Sequence, residues 1–477
     1  MKNSPWFAGL NSLSLLGAFL PSLAFGTPLT LEQYLDQVKG QSPAVQSSVS
    51  LIEGSQSTSK EKDLPFIPKF FVNTAHTIDH REYPAAFLYS RTVSDNFNLG
   101  FEKLFDFGLN AKLSYTLFNN DSTGVSQFVY PNGVNIYTSG QTQLDLSQSL
   151  WRNFFGKESR AGEEIAEATS LASHYGEKFK LKQTLSQAEN AYNRLAIANE
   201  SVRLETELLD RAQKILDWTT KRVNNHLTDK IDLLQARASH QARKISLEAA
   251  LNEQKSGKLA FNQFRDRSSN EVDEQVTLPS TDSILSLTVP KKAEVTDDIK
   301  AAEQSERITK ASNELSIQKA EPDLSLFGTA AFNGVDRYLS PALGRSFSTQ
   351  NPYYVFGIKF SFPIYFWETS EIRGGRVKQQ LAAEATTRQK MLENNQTWSD
   401  LTQKLTEAQG RLKMANDLVN LQKDKLEYEK YRFNLGRTTT YQVLVFEQDY
   451  AQSLISRLRV EQEILGLHSQ IKTYAQE

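Results

Sequence analysis

The sequence has 477 residues, a net charge of −2 and no cysteine. Because basic and acidic side chains nearly balance, the composition argues against a nucleic-acid partner, which requires an excess of basic groups. Without cysteine the chain forms no disulfides and offers no thiol for a lipid anchor. Length alone predicts about three domains.

Residues 1–26 are predicted to be a secretory signal peptide. Lys2 precedes a short apolar core, and Ala24-Phe25-Gly26 supplies small residues for cleavage, so that the mature chain begins at Thr27. A transmembrane anchor is the disfavoured alternative, because the apolar run is short and interrupted. No later apolar stretch approaches about 18 residues, so a membrane-spanning part would have to be a β-barrel.

The mature chain is predicted to start with helices and then strands. Thr30 and Gln33 form a capping box, and Pro43 restarts the helix that Ser42 interrupts. Alternating apolar and polar residues predict strands over 68–79 and 141–151. The insertion 80–140 between them contains a predicted hairpin over 96–119. An extracellular loop and an extra hairpin at a barrel rim are both possible for this insertion.

Two long helices follow, over 159–225 and 229–267. In the first, apolar residues recur at alternating intervals of four and three, the seam of a coiled coil. These residues are Leu181, Leu185, Ala188, Tyr192, Leu195, Val202, Leu209 and Leu216. At a rise of 1.5 Å per residue, such a helix reaches roughly 90–100 Å.

The same order of elements then occurs a second time. After a connector over 268–295, the pattern predicts strands over 322–334 and 353–366, and long helices over 371–433 and 440–475. Thr228 aligns with Thr438 and Leu234 with Leu444 at an offset of 210 residues. The chain is therefore predicted to consist of two structural repeats, 27–267 and 296–477.

Two membrane-length strands in each repeat give four per chain, too few to close a barrel. Three chains would supply a twelve-stranded barrel with an aqueous bore. The fold predicted is mainly α-helical, with a β-barrel contribution and a long coiled-coil tunnel. The side chains predicted to face lipid are Phe356, Ile358, Phe360, Phe362, Leu144 and Leu146.

Several motifs resemble the TolC family of outer-membrane efflux proteins over essentially the whole mature chain. They are Thr30–Leu35 with Ser42-Pro43, the strand starts at Pro68 and Pro322, Leu146–Leu150, Phe360–Ile364, and Tyr431–Leu444 with its Leu435-Gly436 break. The resemblance implies a homotrimer with a twelve-stranded barrel, a periplasmic helical tunnel and an equatorial region at 268–295. It also implies a passive exit duct in the outer membrane that docks to a periplasmic adaptor protein. The energy would come from an inner-membrane pump or an ABC exporter of a type I secretion system.

The resemblance also assigns candidate gate residues beside the two helix breaks. Asp232 matches an acidic residue of the network that closes the tunnel entrance, although it could equally be a first-turn carboxylate favoured by the helix dipole. Phe433 and Thr438 stand where the family has Tyr and Arg. Gln442 and Val445 stand at the positions of the acidic entrance rings, which predicts weaker blockage by multivalent cations.

The tips of the helix pairs are predicted to contact the adaptor, or else to serve only as helix reversals. The tip residues are Asn224, Thr228, Asn434, Leu435, Gly436, Arg437, Thr438 and Thr439. Gly436 suits a backbone with positive φ.

Nothing in the sequence indicates catalysis. The six histidines are scattered without metal-ligand spacing, and no catalytic triad or phosphate loop occurs. We expect no enzyme activity, no cofactor and no metal. The rival interpretation is a structural or adhesive coiled-coil protein of the envelope, whose strands would form a sandwich with the apolar side inward.

Overall fold

The computed structural model describes residues 28–81, 90–125, 127–128, 130, 134–362, 364 and 366–476. The predicted signal peptide 1–26, the predicted start at Thr27 and the turn signal at residues 131–133 lie outside this part of the chain. The elements are, in order, β1 (Pro28–Leu29), α1 (Leu31–Gln41), α2 (Pro43–Thr58), β2 (Lys69–Asp79), β3 (Arg91–Leu104), β4 (Leu109–Thr123), β5 (Val134–Ser149), α3 (Lys157–Asn224), α4 (Lys230–Gln263), β6 (Gln275–Val276), α5 (Thr281–Leu285), α6 (Asp297–Ala320), β7 (Asp323–Asp336), α7 (Leu339–Ser346), β8 (Pro352–Ser361), α8 (Phe366–Asn434) and α9 (Thr440–Lys472). Short 3-10 helices precede β2 and α3, over Ser59–Phe66 and Phe154–Gly156.

The start signals of the first two helices behave as predicted. The Thr30 hydroxyl accepts the Gln33 backbone N–H at 3.3 Å, and the Gln33 side chain accepts the Thr30 N–H at 3.1 Å. The second helix begins at Pro43, whose missing N–H costs nothing in a first turn. The four long helices, α3, α4, α8 and α9, also lie close to their predicted bounds.

Six strands form one antiparallel sheet in the order β2-β3-β4-β5-β7-β8. The prediction of four strands per chain is therefore wrong. The β3–β4 hairpin turns at Gly108, which has φ of 85°, and supplies the two additional strands. It lies inside the sheet, because β2 and β5 satisfy the backbone groups on its two outer sides.

Two further strand bounds differ from the prediction. β5 begins at Val134, so it takes in the end of the segment predicted to be an insertion. β8 ends at Ser361, and α8 already begins at Phe366, where the sequence pattern predicted strand. The apolar alternation continued past the point where backbone pairing with β7 stops, at Asp323 and Ser361.

The chain divides into two compact units. One, the helical unit, comprises the described part of Met1–Ser42 with Gln187–Leu287 and Ala408–Gly466. The other, the sheet unit, comprises Pro43–Ser186, Thr288–Glu407 and the described part of Leu467–Glu477.

The core of the helical unit lies where α3, α8 and α9 pack together. Its buried residues are Leu204, Leu208, Val419, Leu426, Tyr450, Ala451 and Leu454. On α8 the sequence spacing also predicts a seam, over Leu405, Ala408, Leu412, Ala415, Val419, Leu426 and Phe433, and Leu412, Val419 and Leu426 are buried as predicted. On α3 the predicted seam residues Val202 and Leu209 are only half-buried, while Leu204 and Leu208 are buried. The buried stripe of α3 is thus wider than the seam of a two-helix coiled coil, because α3 packs against more than one helix.

Candidate functional site

The register of the sheet unit collects apolar side chains on one face. Residues directly opposite each other share a face, so one row across the six strands contains Phe70, Phe101, Leu113, Leu144, Ala330 and Tyr354. These apolar side chains are not packed into a core. Phe356 and Ile358 on the same face are 81% and 69% exposed. We call this surface the apolar face.

The side chains predicted to face lipid share this surface. Leu144 and Leu146 of β5 lie on the apolar face with Phe356, Ile358 and Phe360 of β8. Phe362 follows the end of β8, and its ring lies 5.5 Å from that of Phe360. All six side chains are exposed in the single chain, and their contact with lipid stays a prediction.

The opposite face, here called the polar face, carries a network of hydrogen bonds between side chains. The Gln143 amide donates to the Asp145 carboxylate at 2.8 Å, and the Thr329 hydroxyl donates to the same carboxylate at 2.7 Å. Farther along the sheet, the Asn98 amide donates to the Thr116 hydroxyl at 2.6 Å. The apolar face thus carries most of the exposed apolar side chains of the sheet, although His76 and Asp95 also pair on it, and the opposite face carries the polar network.

The short helix α7 packs on the apolar face against β5 and β7, at the edge of the band of apolar side chains. The Tyr115 and Ser346 hydroxyls lie 3.1 Å apart, and the rings of Tyr115 and Phe347 stack with centroids 5.4 Å apart. Gly334 allows this approach, since a Cβ there would lie 2.4 Å from the Ala342 carbonyl oxygen. Helix α7 lies between the two strands predicted over 322–334 and 353–366, where no helix was predicted.

In the part of the chain that the structure describes, the other sheet is the two-stranded parallel pair of β1 and β6. No second large sheet covers the apolar face there. The rival prediction of a sandwich with its apolar side inward is therefore wrong for the described residues.

The second candidate site consists of the two helix reversals, α3 to α4 and α8 to α9. Their backbone bonds repeat at an offset of 210 residues. The Leu227 N–H donates to the Arg222 carbonyl at 2.8 Å, and the Arg437 N–H donates to the Arg432 carbonyl at 2.9 Å. The side chains of the same arginines also donate hydrogen bonds within the turns. Arg222 donates to the Leu227 carbonyl at 3.4 Å, and Arg432 donates to the Arg437 carbonyl at 3.3 Å.

One residue in each reversal adopts positive φ. It is Gly436 in the second, with φ of 72°, as predicted, and His226 in the first, with φ of 58°. A side chain in this region is uncommon, so the first reversal holds His226 in a conformation that glycine adopts freely.

The predicted tip residues lie at these turns. Asn224 and Asn434 are the last residues of α3 and α8. Leu435 and Arg437 are exposed, and the Thr439 hydroxyl accepts the Gln442 backbone N–H at 3.3 Å in front of α9.

Three of the four predicted gate residues, Asp232, Phe433 and Thr438, contact different side chains. Asp232, in the first turn of α4, accepts a hydrogen bond from the Thr228 hydroxyl. Phe433 packs on Trp218, and the Thr438 hydroxyl donates to the Glu429 carboxylate. Neither Thr228 nor Glu429 belonged to the predicted gate set.

Sequence reasoning missed two carboxylates near the second reversal. Glu429 is 2% exposed and also accepts a bond from Arg432 at 3.1 Å. Glu447 is 9% exposed and accepts from the Lys430 ammonium. Both lie among charged residues on long helices, where the sequence pattern indicates a solvent-exposed face. The only sequence signal for them was an acidic side chain close to a helix reversal.

Two further buried carboxyls occur in the helical unit. Burial raises the pKa of Glu205, and Arg243, whose guanidinium lies 3.8 Å away, opposes that rise. Burial likewise raises the pKa of Glu461, against a hydrogen bond from Thr281 and the charge of Arg457.

The described residues contain no group of three or more side chains that could hold a metal ion. None of the helices in that same part of the chain is both long and apolar enough to cross a lipid bilayer.

The fold of this chain is similar to that of solved outer-membrane channels. VceC, an outer membrane protein of Vibrio cholerae, matches with a TM-score of 0.65 and 14% identity over 94% of this chain and 97% of its own. The CmeC outer membrane channel of Campylobacter jejuni matches with a TM-score of 0.64 and 14% identity, over 93% of this chain and 85% of the CmeC chain. The open state of the MtrE outer membrane channel of Neisseria gonorrhoeae matches with a TM-score of 0.63 and 14% identity. The match covers 93% of this chain and 88% of the MtrE chain.

No protein-family model and no curated protein matches the sequence. At 14% identity the structural likenesses establish a shared fold. The resemblance found in the sequence motifs is thereby confirmed for the fold.

Proposed function

We propose that this protein is the outer-membrane exit duct of a tripartite efflux pump or a type I secretion system. It conducts small molecules or secreted substrates passively from the periplasm to the exterior. The observation that carries the proposal is the exposed apolar face, backed by a hydrogen-bonded polar face, in a chain with an outer-membrane-channel fold.

The sheet has the dimensions of a membrane wall. Its strands contain from 10 residues in β8 to 16 in β5, and a transmembrane β-strand needs about 9–11. Apolar side chains toward lipid and polar ones toward water form the pattern of an outer-membrane barrel.

A homotrimer completes the wall and covers the helices. Besides its buried seam, α8 carries a second apolar row that is exposed in the single chain. The row consists of Met414, Leu418, Leu421 and Tyr428. Its spacing is that of a second coiled-coil seam, which a helix from another copy would bury.

The helix reversals form the periplasmic end. The residues Asp232, Phe433, Thr438 and Gln442 act there as a gate, and the exposed tips contact a periplasmic adaptor protein coupled to an inner-membrane pump or ABC exporter. The duct itself needs no cofactor and no catalytic residue.

The first experiment is single-channel recording. Purified protein in planar lipid bilayers is expected to give discrete conductance steps and to migrate on gels as a heat-modifiable trimer. A monomer without conductance would overturn the proposal in favour of a structural envelope protein.

The second experiment tests the tips. Gly436→Pro combined with Arg437→Glu is expected to abolish efflux or secretion in cells while the purified trimer still conducts, because Pro cannot adopt the positive φ of residue 436. The matched control is Lys413→Glu, a charge reversal at an exposed position on α8 away from the reversal. Normal transport by the double variant would reject the adaptor contact.

A third experiment concerns ion selection. Because Gln442 and Val445 stand in place of acidic rings, micromolar trivalent cations are expected to block the conductance weakly. Gln442→Glu should strengthen that block by restoring a ring of charge. Strong block of the unmodified channel would contradict the assignment.

A further inference from the structure

The β3–β4 hairpin is built into the sheet along its whole length. Every residue of β2, Lys69–Asp79, pairs with β3, and every residue of β4, Leu109–Thr123, pairs with β5. The hairpin therefore separates β2 from β5, and neither of those strands can pair with the other while it stays in place.

Both surfaces of the sheet continue across this hairpin. On the apolar face, Leu99 and Phe101 of β3 are exposed beside Leu113 of β4. On the polar face, the Asn110 amide donates to the Glu102 carboxylate at 3.0 Å, joining the same two strands. A hairpin outside the membrane would need no apolar side chains on one face and hydrogen-bonded polar ones on the other.

The two edges of the sheet match each other. Among the described residues, β2 and β8 are the outermost strands, with 11 and 10 residues. Because six antiparallel strands alternate in direction, β2 and β8 run opposite ways. The edge of one copy can therefore continue antiparallel into the opposite edge of the next, with Val72 and Phe356 on the same face.

Unpaired backbone groups at a sheet edge are not tolerated in lipid. A six-stranded sheet is also too narrow to close on itself, since about eight strands give a barrel already filled by side chains. The partner at each edge must therefore be a second copy of this chain.

We propose that β8 of each copy pairs with β2 of the next, so that the trimer of the proposed function closes an 18-stranded barrel. The number follows from three copies of a six-stranded sheet. This inference rests on the proposed membrane function and replaces the twelve strands that the sequence predicts. Since barrel diameter grows roughly linearly with strand number, the wall is about half again as wide as a twelve-stranded one.

Disulfide trapping tests the edges, because the chain has no cysteine of its own. Thr74→Cys on β2 is combined in turn with Tyr354→Cys, Phe356→Cys or Ile358→Cys on β8, all on the apolar face. Oxidation of the membrane-inserted protein should convert most of the chain into a covalent trimer for at least one pair. The controls combine Thr74→Cys with Val355→Cys or Lys359→Cys, which lie on the polar face and should crosslink far less.

The position of the hairpin is tested separately. Thr74 and Phe97 are directly paired, so Thr74→Cys with Phe97→Cys should form a disulfide within one chain of the inserted trimer. Electron cryomicroscopy of that trimer in lipid nanodiscs should show 18 strands in the wall.

The outcomes separate the two proposals. A conducting trimer with twelve wall strands and the hairpin outside would overturn this inference alone. A conducting trimer without any crosslink between β2 and β8 would also overturn it. A monomer without conductance would overturn the proposed function and this inference together.

Discussion

The rings of Trp218 and Phe433 pack against each other with centroids 4.1 Å apart and planes inclined by 47°. Trp218 lies near the end of α3 and Phe433 near the end of α8, each next to one helix reversal. The Arg222 guanidinium lies 4.6 Å from the Trp218 ring and adds a cation–π contact. This tilted ring contact joins the ends of α3 and α8, the two helices that enter the reversals.

Removing the stack should loosen both reversals. Trp218→Ala and Phe433→Ala are expected to show a coupling of about 0.5–1.5 kcal/mol in a double-mutant cycle, the usual worth of an aromatic pair. Amide hydrogen exchange over residues 219–226 and 434–439 should rise in each single variant. Tyr431→Ala is the control, because Tyr431 is an aromatic residue on the same helix end that is 61% exposed. An equal rise in that control would contradict the coupling.

The second helix reversal should be destabilised more than the first when the threonine beside it loses its hydroxyl. Thr438 donates to Glu429, which is 2% exposed, whereas Thr228 donates to the half-buried Asp232. Depriving a buried carboxylate of a donor costs about 1–3 kcal/mol, and water compensates a more exposed one. Thr438→Val should therefore raise hydrogen exchange at its own turn more than Thr228→Val does at the other. Equal increases in hydrogen exchange would show that the burial of Glu429 does not determine how much the Thr438–Glu429 hydrogen bond stabilises its turn.

A charged side chain introduced on the apolar face should destabilise the membrane-inserted protein. Leu144→Arg is expected to lower the stability of the inserted protein by about 2–4 kcal/mol if the site lies at the bilayer midplane. Gln143→Arg is the matched control, since the adjacent residue points to the polar face, where Asp145 can pair with the new cation. The measurement is the yield of heat-modifiable trimer in outer-membrane fractions. Loss of trimer in the control but not in Leu144→Arg would reverse the assignment of the faces.

Glu461 should make stability depend on pH. Burial raises its pKa above the ordinary value of 4.5, so the folded carboxyl keeps a proton that the unfolded chain has already lost. Its contribution is present below 4.5 and is lost as pH rises through the raised pKa. Glu461→Gln should remove this part of the pH dependence, measured by thermal denaturation of the solubilised protein.

The control for that experiment is Glu463→Gln. Glu463 lies two residues farther along α9, and its side chain is 45% exposed beside Arg411. The slope of stability against pH should stay as in the unmodified protein. A slope that persists in Glu461→Gln would locate the pH dependence in another group.

Local features of the fold were predictable because their signals lie within a few residues of each other. The capping box at Thr30, the helix restart at Pro43 and the positive φ at Gly436 each depend on neighbouring backbone groups. Alternation likewise grouped Leu144 with Leu146 and Phe356 with Ile358 within their own strands. Periodicity also placed the four long helices.

Only the tertiary structure decided which elements meet. The alternation of 96–119 predicts a hairpin, but hydrogen bonds to β2 and β5 make it two strands of a six-stranded sheet. The Trp218–Phe433 stack and the burial of Glu429 likewise arise where helices distant in sequence come together. A sequence pattern reports the face on which a side chain lies, whereas its partner depends on the packing of the folded backbone.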